Sequence, residues 1–195
     1  VYEAGAEVSM RLVYLMGPSG AGKDSLLQAA AQALAERGYH LAPRCVTRVG
    51  VSNEPLEEWL SEEVFAARQA AGDFALCWQA NGLSYGVPRQ IDDWLQAGQA
   101  VLVNGSRGYL SEARRRYPNL QAICLEAPTP QLRERLLKRG RETARQVEER
   151  LLRHQQLQAA LRDAGAYCVV EAGGSLEKSV EALLACLDEP GAANL

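Results

Sequence analysis

Residues 17 to 25 read Gly-Pro-Ser-Gly-Ala-Gly-Lys-Asp-Ser, and their types and spacing describe a cradle for a polyphosphate. Gly17, Gly20 and Gly22 lack side chains, so the backbone through Pro18, Ser19 and Ala21 can curl with its N–H groups pointing inward. Lys23 adds a point charge. The pattern G-x-x-x-x-G-K runs from Gly17 to Lys23. The next position normally carries Ser or Thr as a Mg²⁺ ligand, whereas here Asp24 stands there and Ser25 follows. A carboxylate is a hard, charged ligand, so metal binding is predicted to be altered and not lost, with Asp24 and Ser25 as the metal-binding pair.

Arginines form the second concentration of chemistry. Arg133, Arg135, Arg139, Arg141, Arg145, Arg150 and Arg153 surround Gly140. One reading is a solvated helix face laced with i,i+4 pairs to Glu134, Glu142, Glu148 and Glu149. Beside a phosphate loop the same residues read as a lid, because guanidinium groups closing over a transferring phosphoryl group neutralise the charge on its oxygens.

The elements that position these groups follow from hydrophobic periodicity. Short apolar runs at 11 to 16, 41 to 46, 100 to 104, 120 to 126 and 166 to 170 suit buried parallel strands. Amphipathic segments at 24 to 37, 106 to 116, 129 to 138, 144 to 163 and 175 to 187 suit helices, the first closed by Gly38. The alternation predicts an α/β chain of the P-loop NTPase type, three layers with a mostly parallel central sheet and helices on both faces. Residues 47 to 97 break the pattern with a polar loop (VSNEP), a helix near 60 to 71, an extended DFALCW and a tight GLSYG turn. This stretch is predicted to be the acceptor-binding insert of a single domain spanning 1 to 195, with the lid at about 139 to 146. The tail from Glu189 onward is small and polar and is expected to fray.

Composition narrows the partners. With 195 residues, 47% of them apolar, and a net charge of −3, the chain has a core for one domain and no general attraction to nucleic acid or to an anionic membrane. The expected partner is small and anionic. Cys45, Cys77, Cys124, Cys168 and Cys186 are widely spaced and odd in number, which predicts reduced core thiols. With no CxxC pair, and with His40 far from His154, a zinc site is not expected. No apolar run reaches the roughly 20 residues of a membrane span. The apolar segment after Met10 is short and runs straight into the phosphate loop, so the reading is a cytoplasmic protein without a signal peptide, with Met10 as its native start.

With these residues in view, the chain resembles the guanylate kinase family of nucleoside monophosphate kinases over about 11 to 187. GPSGAGK matches the family's phosphate loop, VTR around Thr47 is similar to its TTR, FALCWQANGLSYG resembles the segment ending in YYG that faces the acceptor, and RERLLKRGRE followed by EERL resembles its lid. The resemblance implies ATP and Mg²⁺, and places the arginines that reach the ATP phosphates at Arg135, Arg139 and Arg150. It puts Arg48 and Tyr85 where the family holds the acceptor's phosphate.

The departures fall on base recognition. The family's glutamate after FI is Leu76, its serine after YYG is Val87, and its DID is Asn104, Gly105 and Ser106, followed by Arg107. Apolar replacements would leave guanine N–H groups unpaired at a cost of roughly 1 to 3 kcal/mol each, so GMP is expected to be a poor substrate. Arg44 replaces a serine that touches the base, and Arg107 adds a further cation. Such a pocket suits a small sugar carrying two phosphates. The strings KDS, VTR, WQANGLSYGV and VLVNGSR resemble the branch that converts ribose 1,5-bisphosphate to 5-phosphoribosyl 1-diphosphate in phosphonate breakdown. The resemblance gives Arg44, Arg48, Tyr85, Asn104, Ser106 and Arg107 to the acceptor. Other readings stand beside this one: Leu76 and Val87 as core residues, Asn104 as a turn former, Arg107 as a surface charge at a helix start, the whole as a nucleoside monophosphate kinase, or as a binding module without catalysis. Because the strand VLVN lacks the acidic residue that often assists Mg²⁺, the Asp24 carboxylate would compensate.

Overall fold

The structure, a computed structural model, describes residues 11–140, 142–162 and 167–188. Met10, Arg141 and the tail from Glu189 lie outside the described residues. The strand β1 (Leu12–Met16) is buried along its whole length, and its pleat sends alternate side chains to opposite faces. Val13 and Leu15 join a core under the helices α1 (Lys23–Glu36), α5 (Thr129–Arg139), α6 (Ala144–Arg162) and α7 (Leu176–Asp188). Leu12, Tyr14 and Met16 join a second core on the other face, which holds α3 (Gln90–Gln96) and α4 (Leu110–Arg116).

Five parallel strands make the central sheet, in the order β2 (Tyr39–Leu41), β7 (Ala100–Asn104), β1, β8 (Gln121–Glu126), β9 (Cys168–Glu171). This α/β arrangement, with β1 central and the phosphate loop at its carboxyl end, places the site where α/β sheets bind ligands. A second sheet, β4 (Glu57–Leu60), β3 (Arg44–Thr47), β6 (Leu83–Pro88), β5 (Phe74–Ala80), belongs to the 47 to 97 region and its flank, together with α2 (Glu62–Ala70).

The structure corrects several expectations. The run 41 to 46 is two strands in different sheets. Ala42 still donates to Leu102 O at 2.9 Å, but Pro43 has no N–H to continue the ladder, and Arg44 N donates instead to Leu56 O at 2.8 Å. The turn expected at GLSYG lies earlier, at Asn81 (φ 52°) and Gly82 (φ 75°), a two-residue hairpin connection between paired Ala80 and Leu83, and Leu83–Pro88 is strand. The segment 106 to 116 begins as a 3₁₀ turn, Arg107–Tyr109, before α4. Cys168 and Cys186 are not free thiols: β9 and α7 pack with these Cα atoms 6.1 Å apart and the sulfurs are joined, while Cys45, Cys77 and Cys124 are free. Among the described residues no helix is long and apolar enough to cross a membrane.

Candidate active site

Gly22, at φ 95°, turns the chain from the phosphate loop into α1, a left-handed conformation that a side chain would strain. Lys23 follows and folds back onto the loop, donating to Gly17 O at 2.9 Å and Pro18 O at 3.1 Å. Burial, and next the charge of Arg44, push its ammonium down to about 8, against the opposing pull of Asp24. An incoming polyphosphate would replace these carbonyl partners with anionic ones.

Across from the loop, a tyrosine side chain clamps the residues that follow β7. The Tyr14 hydroxyl, buried under the sheet, donates to Ser106 O and accepts from Ser106 N, both at 2.9 Å. Gly105 lies directly on the Tyr14 ring, where a Cβ would collide with ring carbons. This clamp presents Asn104, whose Nδ2 donates to Asp24 Oδ1 at 2.8 Å. Asn104 Oδ1 is buried without a partner among the described residues.

Facing them from the second sheet, Arg44 and Arg48 converge on one carboxylate. Glu57, with its side chain 8% exposed, accepts from Arg44 at 2.6 Å, Arg48 at 3.2 Å and the Trp59 indole at 2.7 Å. Burial alone would raise its pKa, but the hydrogen bonds from Arg44 and Trp59 and both arginine charges hold it below the ordinary glutamate value. Arg44 also lies over the Tyr85 ring and 3.9 Å from Asp24. Tyr85 stacks on Trp78 with centroids 5.4 Å apart, and Trp78 stacks in turn on Tyr109.

These groups line one cleft of about 390 Å³ that brings together Lys23, Asp24, Ser25, Arg44, Arg48, Tyr85, Asn104, Ser106 and Arg139. Arg150 does not line it. That side chain donates to Ser19 Oγ at 3.2 Å and pairs with Glu142 at 2.7 Å. Arg135 stands behind the loop, donating to Ala21 O at 3.1 Å and to Ala172 O at 3.3 Å. Arg107 turns away from the cleft into a neighbouring cavity. Leu76 and Val87 are not pocket residues: they pair across the β5–β6 hairpin, each 1% exposed, as part of the core. The core reading holds for both, and neither offers a polar group to a base. Glu57, Trp59 and Trp78 were missed by sequence reasoning, since the arginine partners of Glu57 lie 9 and 13 residues away, on β3 and just past its end.

A divalent cation would find a donor set here. The Asp24 carboxylate, with its side chain 53% exposed, and the Ser25 hydroxyl both face the cleft beside Lys23. Among the described residues no group of three or more His, Cys, Asp or Glu converges. One or two protein oxygens beside a phosphate site fit a hard ion that completes its shell with phosphate and water.

No family model matches the chain. Individual relatives match closely. A protein named ribose 1,5-bisphosphate phosphokinase PhnN from Pseudomonas fluorescens (strain SBW25) is 51% identical over 181 residues, covering 91% of this chain and 95% of that protein. Proteins of the same name from Pseudomonas paraeruginosa (strain DSM 24068 / PA7) and Azotobacter vinelandii (strain DJ / ATCC BAA-1303) are 49% and 47% identical, over 91% and 89% of this chain and 95% and 93% of theirs. Among solved structures, a guanylate kinase from Anaplasma phagocytophilum superposes with a TM-score of 0.68 at 16% identity, over 93% of this chain and 87% of that one, a likeness of fold.

Proposed function

The chain belongs to the ribose 1,5-bisphosphate phosphokinase family, an assignment that makes it a phosphotransferase, and from that premise we propose that it moves the γ-phosphoryl group of ATP to the 1-phosphate of ribose 1,5-bisphosphate. The products are ADP and 5-phosphoribosyl 1-diphosphate. The observation that carries the reading is the pairing of Arg44 and Arg48 on one buried carboxylate opposite Lys23, in a cleft whose expected base-reading positions, Leu76 and Val87, are core.

The chemistry asks little of acid–base groups. The acceptor phosphate is ionised at neutral pH, so an oxygen of the 1-phosphate attacks the γ-phosphorus in line while the bond to the ADP oxygen breaks, and no general base is needed. Rate comes from positioning and from neutralising charge on the transferred group. Lys23 and the backbone N–H groups of the loop from Ser19 to Gly22 hold the donor phosphates. Arg44, Arg48 and Tyr85 anchor the acceptor, with Asn104 and Ser106 shaping the floor between them. Asp24 and Ser25 would hold Mg²⁺, which supplies charge neutralisation between the phosphates. Arg139 stands at the cleft edge, and no described residue pairs with it, so it is free to close on the donor. Arg150, tied to Ser19, follows with the loop, and Arg135 braces the loop from behind.

We further propose that residues 1 to 195 act as one kinase domain, with 47 to 97 as the acceptor arm and 139 to 146 as the lid. ATP as the donor fits a cytoplasmic setting. The test is ³¹P NMR of a reaction holding ATP, Mg²⁺ and ribose 1,5-bisphosphate. A new diphosphate on the sugar, appearing in step with ADP, supports the reading; ADP without a sugar diphosphate would contradict it.

A further inference from the structure

Beyond the cleft lies a second cavity, of about 290 Å³, between the phosphate loop, the tip of the β5–β6 hairpin and α6. The two share Gly17, Ser19, Trp78, Ala80, Asn81 and Ser106 as lining, so they are contiguous, and Trp78 lies on their boundary. The walls of the second cavity are basic. Arg107 is only 9% exposed, and no described carboxylate lies at ion-pair distance from it. Its partners are neutral: the Nη1 donates to His154 Nδ1 at 2.7 Å and to Gln158 Oε1 at 3.3 Å, while Gln158 donates onward to Glu126. The Glu126 carboxylate acts on this buried guanidinium only from beyond ion-pair distance, and the fold retains the charge at a cost in desolvation.

His154 completes the arrangement. Because Nδ1 accepts from Arg107, the ring proton sits on Nε2, leaving that N–H as a donor. Burial first, and the Arg107 charge second, hold the imidazole pKa below its ordinary value, so the ring is neutral near pH 7. Arg153, one residue before it on α6, lines the same cavity, is exposed and has no ion-pair partner among the described residues. A cavity with one buried cation, one exposed cation and a neutral N–H donor suits a phosphate monoester dianion. The phosphate loop and α5 close one side of this cavity, but Arg107, Arg153 and His154 come from the end of β7 and from α6, and Arg135 and Ala172 are not among its lining.

We propose that Trp78 divides the acceptor site into two anion basins, and that the phosphate not undergoing reaction, the 5-phosphate if the acceptor is the one named above, is held in the second basin by Arg107, Arg153 and His154. The sugar then bridges over Trp78, with its 1-phosphate on Arg44 and Arg48. Selectivity for a bisphosphate over a monophosphate would reside in the second basin, at residues that the phosphate loop and the lid do not include.

The test is a cycle of enzyme against substrate. kcat/KM is measured for ribose 1,5-bisphosphate and for ribose 1-phosphate with the wild-type protein, Arg153→Ala and His154→Gln, and KM for ATP is followed in each. A charge-assisted contact corresponds to a loss of about 10- to 100-fold, so the preference for the bisphosphate should shrink by that factor in Arg153→Ala while turnover of ribose 1-phosphate stays within about twofold. His154→Gln should narrow the preference less, about threefold to tenfold, since a neutral donor is lost. An equal fall for both substrates, an unchanged preference, or a loss carried by KM for ATP would overturn the inference while leaving the proposed reaction intact. No turnover of the bisphosphate by the wild-type protein would remove the proposed reaction itself, and this assignment with it.

Discussion

Asn104 donates from Nδ2 to the Oδ1 of Asp24 at 2.8 Å, joining the last residue of β7 to the position that directly follows the phosphate-loop lysine. The sheet thereby orients the one carboxylate that stands where a hydroxyl ligand is usual. Arg44 lies 3.9 Å from the same oxygen, so the acceptor side feels that carboxylate as well. Asp24→Asn removes the charge and keeps the shape. It is expected to lower kcat/KM by about 100-fold and to raise the Mg²⁺ concentration needed for half-maximal activity. Asn104→Ala should move the Mg²⁺ requirement in the same direction with a smaller loss, about tenfold. Titration of activity against Mg²⁺ for both variants checks this, and an unchanged requirement in each would remove Asp24 from the metal.

Glu57 makes stability depend on pH in a defined direction. Its folded-state pKa lies below 4.5, the ordinary glutamate value. The contribution of this carboxylate is therefore complete above about pH 4.5 and is lost as pH falls through the lower folded value. Glu57→Gln keeps the size and loses the charge. At pH 7 its unfolding free energy is expected to be about 2 kcal/mol below wild type, a figure reduced for the partial exposure of Arg48. Below pH 4 the gap between the two proteins should narrow. Denaturant unfolding across pH 3.5 to 7 measures the gap, and a constant difference would contradict the pairing.

Much of the architecture is legible in residue order, and the reason is local. β1 is a short apolar run with both faces buried, and the glycines and lysine that follow it encode their own conformation within nine residues. The second sheet was harder to read. Residues 41 to 46 look like one strand because Leu41, Ala42, Cys45 and Val46 are all apolar, yet Pro43 ends one ladder and Arg44 begins another. The site divides in the same way. Arg44, Arg48 and Tyr85 were readable as acceptor residues from the resemblance, whereas the carboxylate that gathers both arginines sits on β4, a strand that the polar residues around it conceal. Arg107 illustrates the limit most clearly: the sequence puts a cation next to Ser106, and only packing against α6 shows that it faces His154. The thiols of Cys168 and Cys186 likewise meet only because α7 returns along β9.

Gly105 tests whether the Tyr14 clamp governs the site or merely fills the core. A Cβ there meets the Tyr14 ring, so Gly105→Ala must displace either the ring or the end of β7. The expected loss is about 3 kcal/mol in unfolding free energy, typical of overpacking. Tyr14→Phe keeps the ring and removes both hydrogen bonds to Ser106, and should cost about 1 to 2 kcal/mol while raising KM for the acceptor. A Phe variant with an unchanged KM would make the clamp purely structural.

The lid residues separate by what each touches. Arg139 has no described ion-pair partner and faces the cleft, so Arg139→Ala is expected to lower kcat by about 100-fold or more with little change in KM for ATP. Arg135 donates to backbone carbonyls of the phosphate loop, and Arg135→Ala should instead raise KM for ATP. Steady-state kinetics with ATP varied at saturating acceptor distinguishes the two effects, and identical signatures would contradict the division.

The most direct measurement of the central claim is a side-by-side phosphoryl-transfer assay with ATP and Mg²⁺, offering ribose 1,5-bisphosphate, ribose 5-phosphate and GMP in separate reactions and identifying products by mass. Formation of 5-phosphoribosyl 1-diphosphate from the bisphosphate, with kcat/KM at least about 1000-fold above that for GMP, is the predicted result, since a site without partners for the guanine edge discriminates by several kcal/mol. GDP formed at a comparable rate would contradict the account and would mean that residues other than Leu76 and Val87 grip a base within the cleft.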